Sequence, residues 1–419
     1  MQLKFMKAGI ISIGDELLIG QTVNTNTAWL GQELGKFGIS VFKSTTIRDV
    51  KEDILQTVDA YLNETDFIIV TGGLGPTNDD ITKETLTEYF GTSLVLNQQV
   101  LDRVTDFFQK RGKEMLDSNI QQAMLPKDAL ILDNNHGTAS GMWFEKNGKV
   151  LVSLPGVPYE MEALIQEEVL PRIKATFGVR GNYYQTLMLQ GIGESFLAEK
   201  IEDWEKRIYR DGLHLAYLPS TGLIKLRLTS EKGTKEAGLV NTYFDELRNG
   251  FPQYAYGMNE ETIFEAVGEL LKSKNATLGT VESCTGGGIA SSFIAKSGSS
   301  AFFQGGLITY SNVLKNKLAH VSISTLEKYG AVSEEVAKEM AIGGKEVLSA
   351  DYVIAVTGIA GPEGGSEEKP VGTVWIAIAT PDGVFAEHFL FGEHRGRNIE
   401  KTELYAANFL RKKILEIED

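Results

Sequence analysis

The stretch VESCTGGGIASSF, residues 281–293, places Ser283 where an apolar run meets a glycine-rich turn, with a helical pattern beyond. GGLITYSNVLK, residues 305–315, follows and ends in Lys315, with Tyr310 between. A serine hydroxyl is a poor nucleophile until a neighbouring base takes its proton. The chain has five histidines, and none flanks Ser283. A lysine made neutral by burial is the substitute base, so the pattern predicts a Ser–Lys amide hydrolase in the C-terminal third. Cys284 is a rival nucleophile, and its thiolate is intrinsically better. Successive side chains on a strand point to opposite faces, so only one of the two is expected in a pocket. The plain alternatives are a turn serine capping the helix that begins near Gly287, and a surface lysine at a helix start.

The elements around these residues alternate between strand and helix. ATLGTVES (276–283) reads as the strand that delivers Ser283, and GGIASSFIAK (287–296) as the helix after it. SEEVAKEMAIGGKEVLSA (333–350) is a helix with Ser333 as N-cap and acidic residues in its first turn. DYVIAVTG (351–358) and GTVWIAIAT (372–380) are strands, and residues 397–414 a closing helix. At the other end, AGIISIG (8–14), ISVFKSTTI (39–47) and DFIIVTGG (66–73) are strands, separated by helices over 24–38 and 50–64. That β-α-β-α-β order predicts a mostly parallel sheet covered on both faces, with ligands at the carboxyl ends of its strands. Between the two lies a small α+β module, with a hairpin over 213–230 and a GIGE turn at 191–194. The fold class is therefore α/β: two α/β domains, 1–172 and 258–419, joined by a module over 173–257.

Composition sets further bounds. The chain has 419 residues, too many for one core, and 42% are hydrophobic. No stretch approaches the length of a membrane span, and the N-terminal apolar run leads into a strand without a cleavage site, so no signal peptide is expected. One cysteine rules out an internal disulfide and fits a reducing cytoplasm. The net charge of −15 argues against nucleic acid as a partner.

An internal echo adds a second kind of site. DFIIVTGGLGP (66–76) and DYVIAVTGIAGP (351–362) share an acidic residue, an apolar strand and Thr-Gly-x-x-Gly-Pro. Such turns expose backbone N–H groups that favour phosphate; two tight turns without a ligand are the alternative. The first copy offers Thr71, Gly72, Gly73, Gly75, Thr77 and Asn78 to a phosphate. Asp79 and Asp80 follow, and Asp15 and Glu16 end the first strand. These carboxylates could cap helices, or Asp15, Glu16 and Asp80 could hold Mg²⁺ or a similar hard cation for pyrophosphate cleavage.

SIGDELLIGQTVNTN, TGGLGPTNDDITKE, NHGTASGM (135–142) and LPGVPYEM (154–161) resemble the MoaB/MogA-type molybdopterin-binding domain, in the variant that opens CinA proteins. ESCTGG, GGLITYSNVLK, GAVSEEVA and VTGIAGPEGG…KPVGTVW resemble the CinA C-terminal domain, the nicotinamide-nucleotide amidase family. GIGE resembles the GxxG loop of the KH-like module found between them, although Glu194 in place of a basic residue argues against phosphate clamping. A spacer or dimerisation role is the alternative for that module.

The resemblance implies two activities. The C-terminal domain would deamidate nicotinamide mononucleotide to nicotinate mononucleotide and ammonia without a cofactor, with Ser283 as nucleophile, Lys315 as base and Tyr310 assisting. The turn Thr285, Gly286, Gly287 would hold the oxyanion. Thr357, Gly358, Ala360 and Gly361, with Arg395 or Arg397, would take the substrate phosphate under a mobile lid over 362–372. The N-terminal domain would hydrolyse ADP-ribose with a divalent metal. A homodimer is expected from the family. The competing reading is a molybdopterin-binding or competence-related adaptor with a non-catalytic C-terminal domain.

Overall fold

The computed structural model describes residues 6–77, 79–177 and 182–417, which leaves Asn78 outside. Contacts divide the chain into two compact units, residues 1–183 with 231–235 and residues 184–230 with 236–419.

In the first unit the strands are β1 (Lys7–Ile13), β2 (Ser40–Ile47), β3 (Phe67–Thr71), β4 (Leu94–Leu96), β5 (Met124–Pro126), β6 (Leu130–Leu132), β7 (Gly141–Lys146) and β8 (Lys149–Leu154). Six of them form one sheet in the order β2-β1-β3-β8-β7-β6, while β4 and β5 pair separately. The β2, β1, β3 and β8 strands run parallel, and β7 is antiparallel to both its neighbours. All five residues of β3 are buried. Phe67 and Ile69 join the core on one face, Ile68 and Val70 the core on the other. A continuous apolar run is what a doubly covered strand requires, and each such side chain contributes roughly 1.5–3 kcal/mol. Helices Thr25–Lys36 and Lys51–Glu64 pack on opposite faces, the first capped by the Asn24 side chain.

The second unit opens with the small module. Its strands β9 (Tyr183–Gln190), β10 (His214–Ser220), β11 (Leu223–Ser230) and β12 (Ala255–Met258) form a sheet in the order β10-β11-β9-β12. Helices Glu194–Lys200, Glu202–Arg210 and Ala237–Gly250 complete it, with Trp204 and Phe244 buried in its core.

The C-terminal sheet contains β13 (Leu278–Glu282), β14 (Phe303–Ile308), β15 (Tyr352–Gly358), β16 (Thr373–Ala379) and β17 (Val384–Leu390), in the order β14-β13-β15-β16-β17. Strand β13 is parallel to both neighbours, while β15, β16 and β17 pair antiparallel. The sheet is thus mixed, because Pro381-Asp382-Gly383 makes a tight turn that returns the chain beside β16. Helices Ile263–Ser273 and Arg395–Leu415 cover one face and Glu334–Leu348 the other. Thr262 and Glu265 form a capping box at the first of these helices, and the Ser333 side chain caps the third. Both faces being covered, chemistry is left to the strand ends, where β13 delivers Ser283. No helix among the described residues is long and apolar enough to cross a membrane.

Candidate active site

Ser283 directly follows β13, and its N–H donates to Val356 O of β15 at 3.1 Å. The turn beyond it is held by the residue before it. Glu282, 1% exposed, accepts from Thr285 Oγ1 at 2.7 Å, from the N–H groups of Gly287 and Ile289 at 3.0 Å and of Ala290 at 2.8 Å. A carboxylate at the start of helix Gly288–Ile294 takes up its unpaired donors and complements its dipole. Glu403 lies where a side chain on Gly288 would sit, and burial, then Glu282 and Glu400, push its carboxyl up to about 7.

Lys315 sits in the first turn of helix Asn312–Ala319, which Ser311 caps. It is 1% exposed, and its ammonium donates to Ser283 Oγ at 2.9 Å and to Thr309 O at 2.8 Å. Burial disfavours the charged form and lowers its pKa to about 8. Burial acts oppositely on Cys284, raising its thiol to about 12. Cys284 therefore stays protonated at neutral pH, and of the two neighbouring candidates Ser283 is the one hydrogen-bonded to Lys315.

A cavity of about 270 Å³ opens on this pair. Cys284, Tyr310, Asn312 and Lys315 line one side, the β15 end and turn Thr357–Gly361 another, with Glu363, Gly364 and Arg395. Arg395 Nη1 donates to Gly361 O at 2.9 Å, which leaves its other N–H donors available. Asn398, one turn further on, donates to Ala360 O at 3.0 Å and Gly392 O at 2.8 Å, so helix Arg395–Leu415 braces the turn. Gly358, Ala360, Gly361 and Arg395 thus come together beside Ser283 and Lys315.

Several expected roles change. Thr285, Gly286 and Gly287 do not line the cavity. Gly286 N–H donates to Ser283 O at 3.2 Å and Gly287 N–H to Glu282, so neither points at an oxyanion. The Thr357 hydroxyl donates to Ala331 O at 2.8 Å and holds the opposite wall rather than offering itself to phosphate. Tyr310 lines the cavity but is 63% exposed, and the hydrogen bonds that hold the Lys315 ammonium go to Ser283 Oγ and the Thr309 carbonyl. The loop over 362–372 is strapped down: Lys369 Nζ donates to Tyr329 O at 2.8 Å and Val332 O at 2.7 Å.

In the first unit, the glycine turn after β3 is built by close approach. Gly72 has φ +107°, and a side chain there would collide with Ile13 O. Thr71 ends the buried strand. Two carboxylates border the turn: Asp80 against Gly75, and Asp49 against Gly73. Thr77 donates to Asp80 through its N–H at 3.0 Å and also through its hydroxyl. Asp15 and Glu16 are exposed in a short helical turn, with the Glu16 carboxylate folded back against Gly14. No group of three or more His, Cys, Asp or Glu side chains is gathered for a metal among the described residues, so the expected set of Asp15, Glu16 and Asp80 is not assembled. Asp49 was missed by the sequence reading. Burial, then the charges of Asp80, Asp79 and Asp15, raise its carboxyl to about 6, and its Oδ1 is buried without a partner. Asp49 and Asp80 are the carboxylates that border this turn.

A doubly covered α/β sheet with a buried serine–lysine pair at its strand ends is preceded by a second α/β unit with a glycine turn bordered by two carboxylates. The sequence matches the family described as the CinA C-terminal domain over residues 260–414. It matches "Probable molybdopterin binding domain" over 9–175 and the damage-inducible protein CinA KH domain over 184–257. A CinA-like protein of Cytophaga hutchinsonii is 41% identical over 412 residues, 98% of each chain. One of Flavobacterium psychrophilum is 42% identical over 416 residues, 98% of this chain and 99% of that one. A crystal structure of a competence-damaged protein (CinA) superfamily member from Klebsiella pneumoniae is 32% identical, covering 37% of this chain and 96% of that one at a TM-score of 0.36. The chain belongs to the CinA family.

Proposed function

We propose that the C-terminal domain is a Ser–Lys amide hydrolase acting on nicotinamide mononucleotide. The observation that supports it is the 2.9 Å hydrogen bond between the buried Lys315 ammonium and Ser283 Oγ. With a pKa of about 8, about a tenth of Lys315 is neutral at pH 7, against well under a thousandth for a free lysine. Neutral Lys315 takes the Ser283 proton as Oγ attacks the carboxamide carbon. The tetrahedral adduct then collapses, the C–N bond breaks, and Lys315 returns that proton to the leaving nitrogen to release ammonia. Water attacks the acyl-enzyme, giving one proton to Lys315, and nicotinate mononucleotide leaves as Ser283 recovers its hydrogen. Arg395 holds the substrate phosphate against the Gly358–Gly361 turn.

For the N-terminal domain the reading is binding of ADP-ribose with a divalent cation such as Mg²⁺. Asp49 and Asp80 would hold the cation beside the Gly72–Gly75 turn, where it would polarise a pyrophosphate oxygen. The orphaned Asp49 Oδ1 supports that pair. The two domains would then handle pyridine nucleotides in one cytoplasmic chain, as a homodimer. The adaptor reading rests on the molybdopterin-domain match. Incubating the purified full chain with nicotinamide mononucleotide, a chelator present, separates the two. Ammonia and nicotinate mononucleotide in equal amounts support the hydrolase, and their absence favours the adaptor.

A further inference from the structure

Residues 329–332 lead from helix Ile323–Tyr329 to helix Glu334–Leu348, and two of them, Ala331 and Val332, line the cavity at Ser283. Apolar side chains there give a bound ring something to lie against. A connector this short has no ladder of its own, and the last carbonyls of a helix lack partners within it, so its acceptors must be met from elsewhere. All four are. Gly330 O accepts from Ser333 Oγ at 3.0 Å and Ala331 O from Thr357 Oγ1 at 2.8 Å. The remaining two, Tyr329 O and Val332 O, both accept from Lys369 Nζ, at 2.8 and 2.7 Å.

Lys369 comes from the loop that supplies another stretch of the same lining. Glu363 and Gly364 of that loop border the cavity, while Lys369 itself does not. A tight turn presents the lysine. Its N–H donates to Ser366 Oγ at 3.0 Å, and the Ser366 N–H donates to Lys369 O at 2.9 Å. Beyond it, Gly372 N–H donates to Ile359 O at 2.7 Å and Ile359 N–H to Thr373 O at 2.8 Å, which ties the far end of the loop to the turn after β15. The two bonds from the ammonium span 40 and 37 residues of sequence, so one side chain joins two parts of the lining that come from separate segments. A hydrogen bond from a charged donor is stronger than a neutral one. Methionine would fill the same space and leave both carbonyls without a donor.

We propose that Lys369 is a positioning residue for the Ser283 site, holding Ala331 and Val332 at a fixed spacing from Glu363 and Gly364 so that a bound ring presents its carboxamide to Ser283 Oγ. The inference rests on the amide-hydrolase reading of that site. It gives Lys369 no contact with substrate and no part in proton transfer. Its effect is on binding and alignment, which a displacement of about 1 Å away from the chemistry is enough to disturb.

The test is steady-state kinetics on nicotinamide mononucleotide for the full chain as wild type, Lys369→Met, Lys369→Arg and Ser366→Ala. Calorimetric binding of the same compound to Ser283→Ala, with and without Lys369→Met, gives a readout that needs no turnover. Lys369→Met should lower kcat/KM about 10²-fold, chiefly through KM, and weaken binding to Ser283→Ala about tenfold or more. The rise of kcat/KM through about pH 8 should stay where it is, because Lys315 is untouched. Lys369→Arg, with several N–H donors in one fork, should restore KM to within a few-fold of wild type. Ser366→Ala loosens only the turn and should raise KM in the same direction by less, and it carries the test if Lys369→Met does not fold. Unchanged KM and binding in a folded Lys369→Met, a loss that Lys369→Arg does not restore, or a displaced pH limb overturns the proposal. A wild type that binds without turnover removes the hydrolase reading, and the binding comparison then decides the role of Lys369. A wild type that neither binds nor turns over overturns both.

Discussion

Lys315 Nζ lies 2.9 Å from Ser283 Oγ, and the lysine that makes this contact is 1% exposed. Proximity gives the serine a base, and burial makes that base available near neutral pH. The lowered pKa sets the sign of the pH dependence. Lys315 is inactive when protonated, so kcat/KM for the amide substrate should rise with pH through about 8 and level off above it. Lys315→Met should lose about 10²–10⁴-fold in kcat and flatten that limb. An initial-rate profile from pH 6 to 10 checks both.

Cys284 sits beside Ser283, but burial holds its thiol at about 12. Cys284→Ala should retain most of the activity, and the wild type should react slowly with thiol reagents at pH 7.5. Alkylation followed by mass spectrometry, alongside the assay, measures both.

Glu282 organises the turn after Ser283 through four hydrogen bonds, two from helix N–H groups, one from Gly287 and one from Thr285. Glu282→Gln replaces an acceptor-only group with one that must present an NH₂ to donors. It should cost about 1–3 kcal/mol in stability and lower kcat more than it raises KM. Thermal denaturation and steady-state kinetics of the variant supply the two numbers.

Asp49 is a carboxyl with its pKa raised from 3.8 to about 6, so its charged form is the one the fold disfavours. The penalty is absent below pH 4, grows as pH rises through 6, and is full above it. Asp49→Asn should therefore stabilise the protein at pH 7–8 by about 1–2 kcal/mol, after allowance for solvent screening, and leave it unchanged at pH 4. Mg²⁺ should raise the melting temperature of the wild type more than that of the variant. Melting curves at the two pH values, with and without Mg²⁺, decide it.

Much of this was legible in the sequence because it is local. The run into Ser283 ends a strand, Ser333 caps a helix, and the glycine turns follow apolar segments, each readable within a dozen residues. The Ser283–Lys315 pair was readable from residue type and order. The neighbours that reassign roles were not, because they depend on which groups meet across the sheet. Glu282 reads as the last residue of a strand, and nothing in its spacing shows that it will accept from four donors. Asp49 is a single acid about thirty positions from Asp80, brought beside it by the parallel pairing of β2, β1 and β3. A glycine-rich, charged loop reads as mobile, while Lys369 ties it to the carbonyls of Tyr329 and Val332, some forty residues earlier.

The central claim is that Ser283 is the nucleophile of an amide hydrolase. Release of nicotinate mononucleotide from nicotinamide mononucleotide, with a chelator present, by wild type, Ser283→Ala and Cys284→Ala tests it most directly. The account predicts turnover by the wild type and Cys284→Ala, and none above background by a folded Ser283→Ala. Turnover that survives in Ser283→Ala and disappears in Cys284→Ala would contradict it.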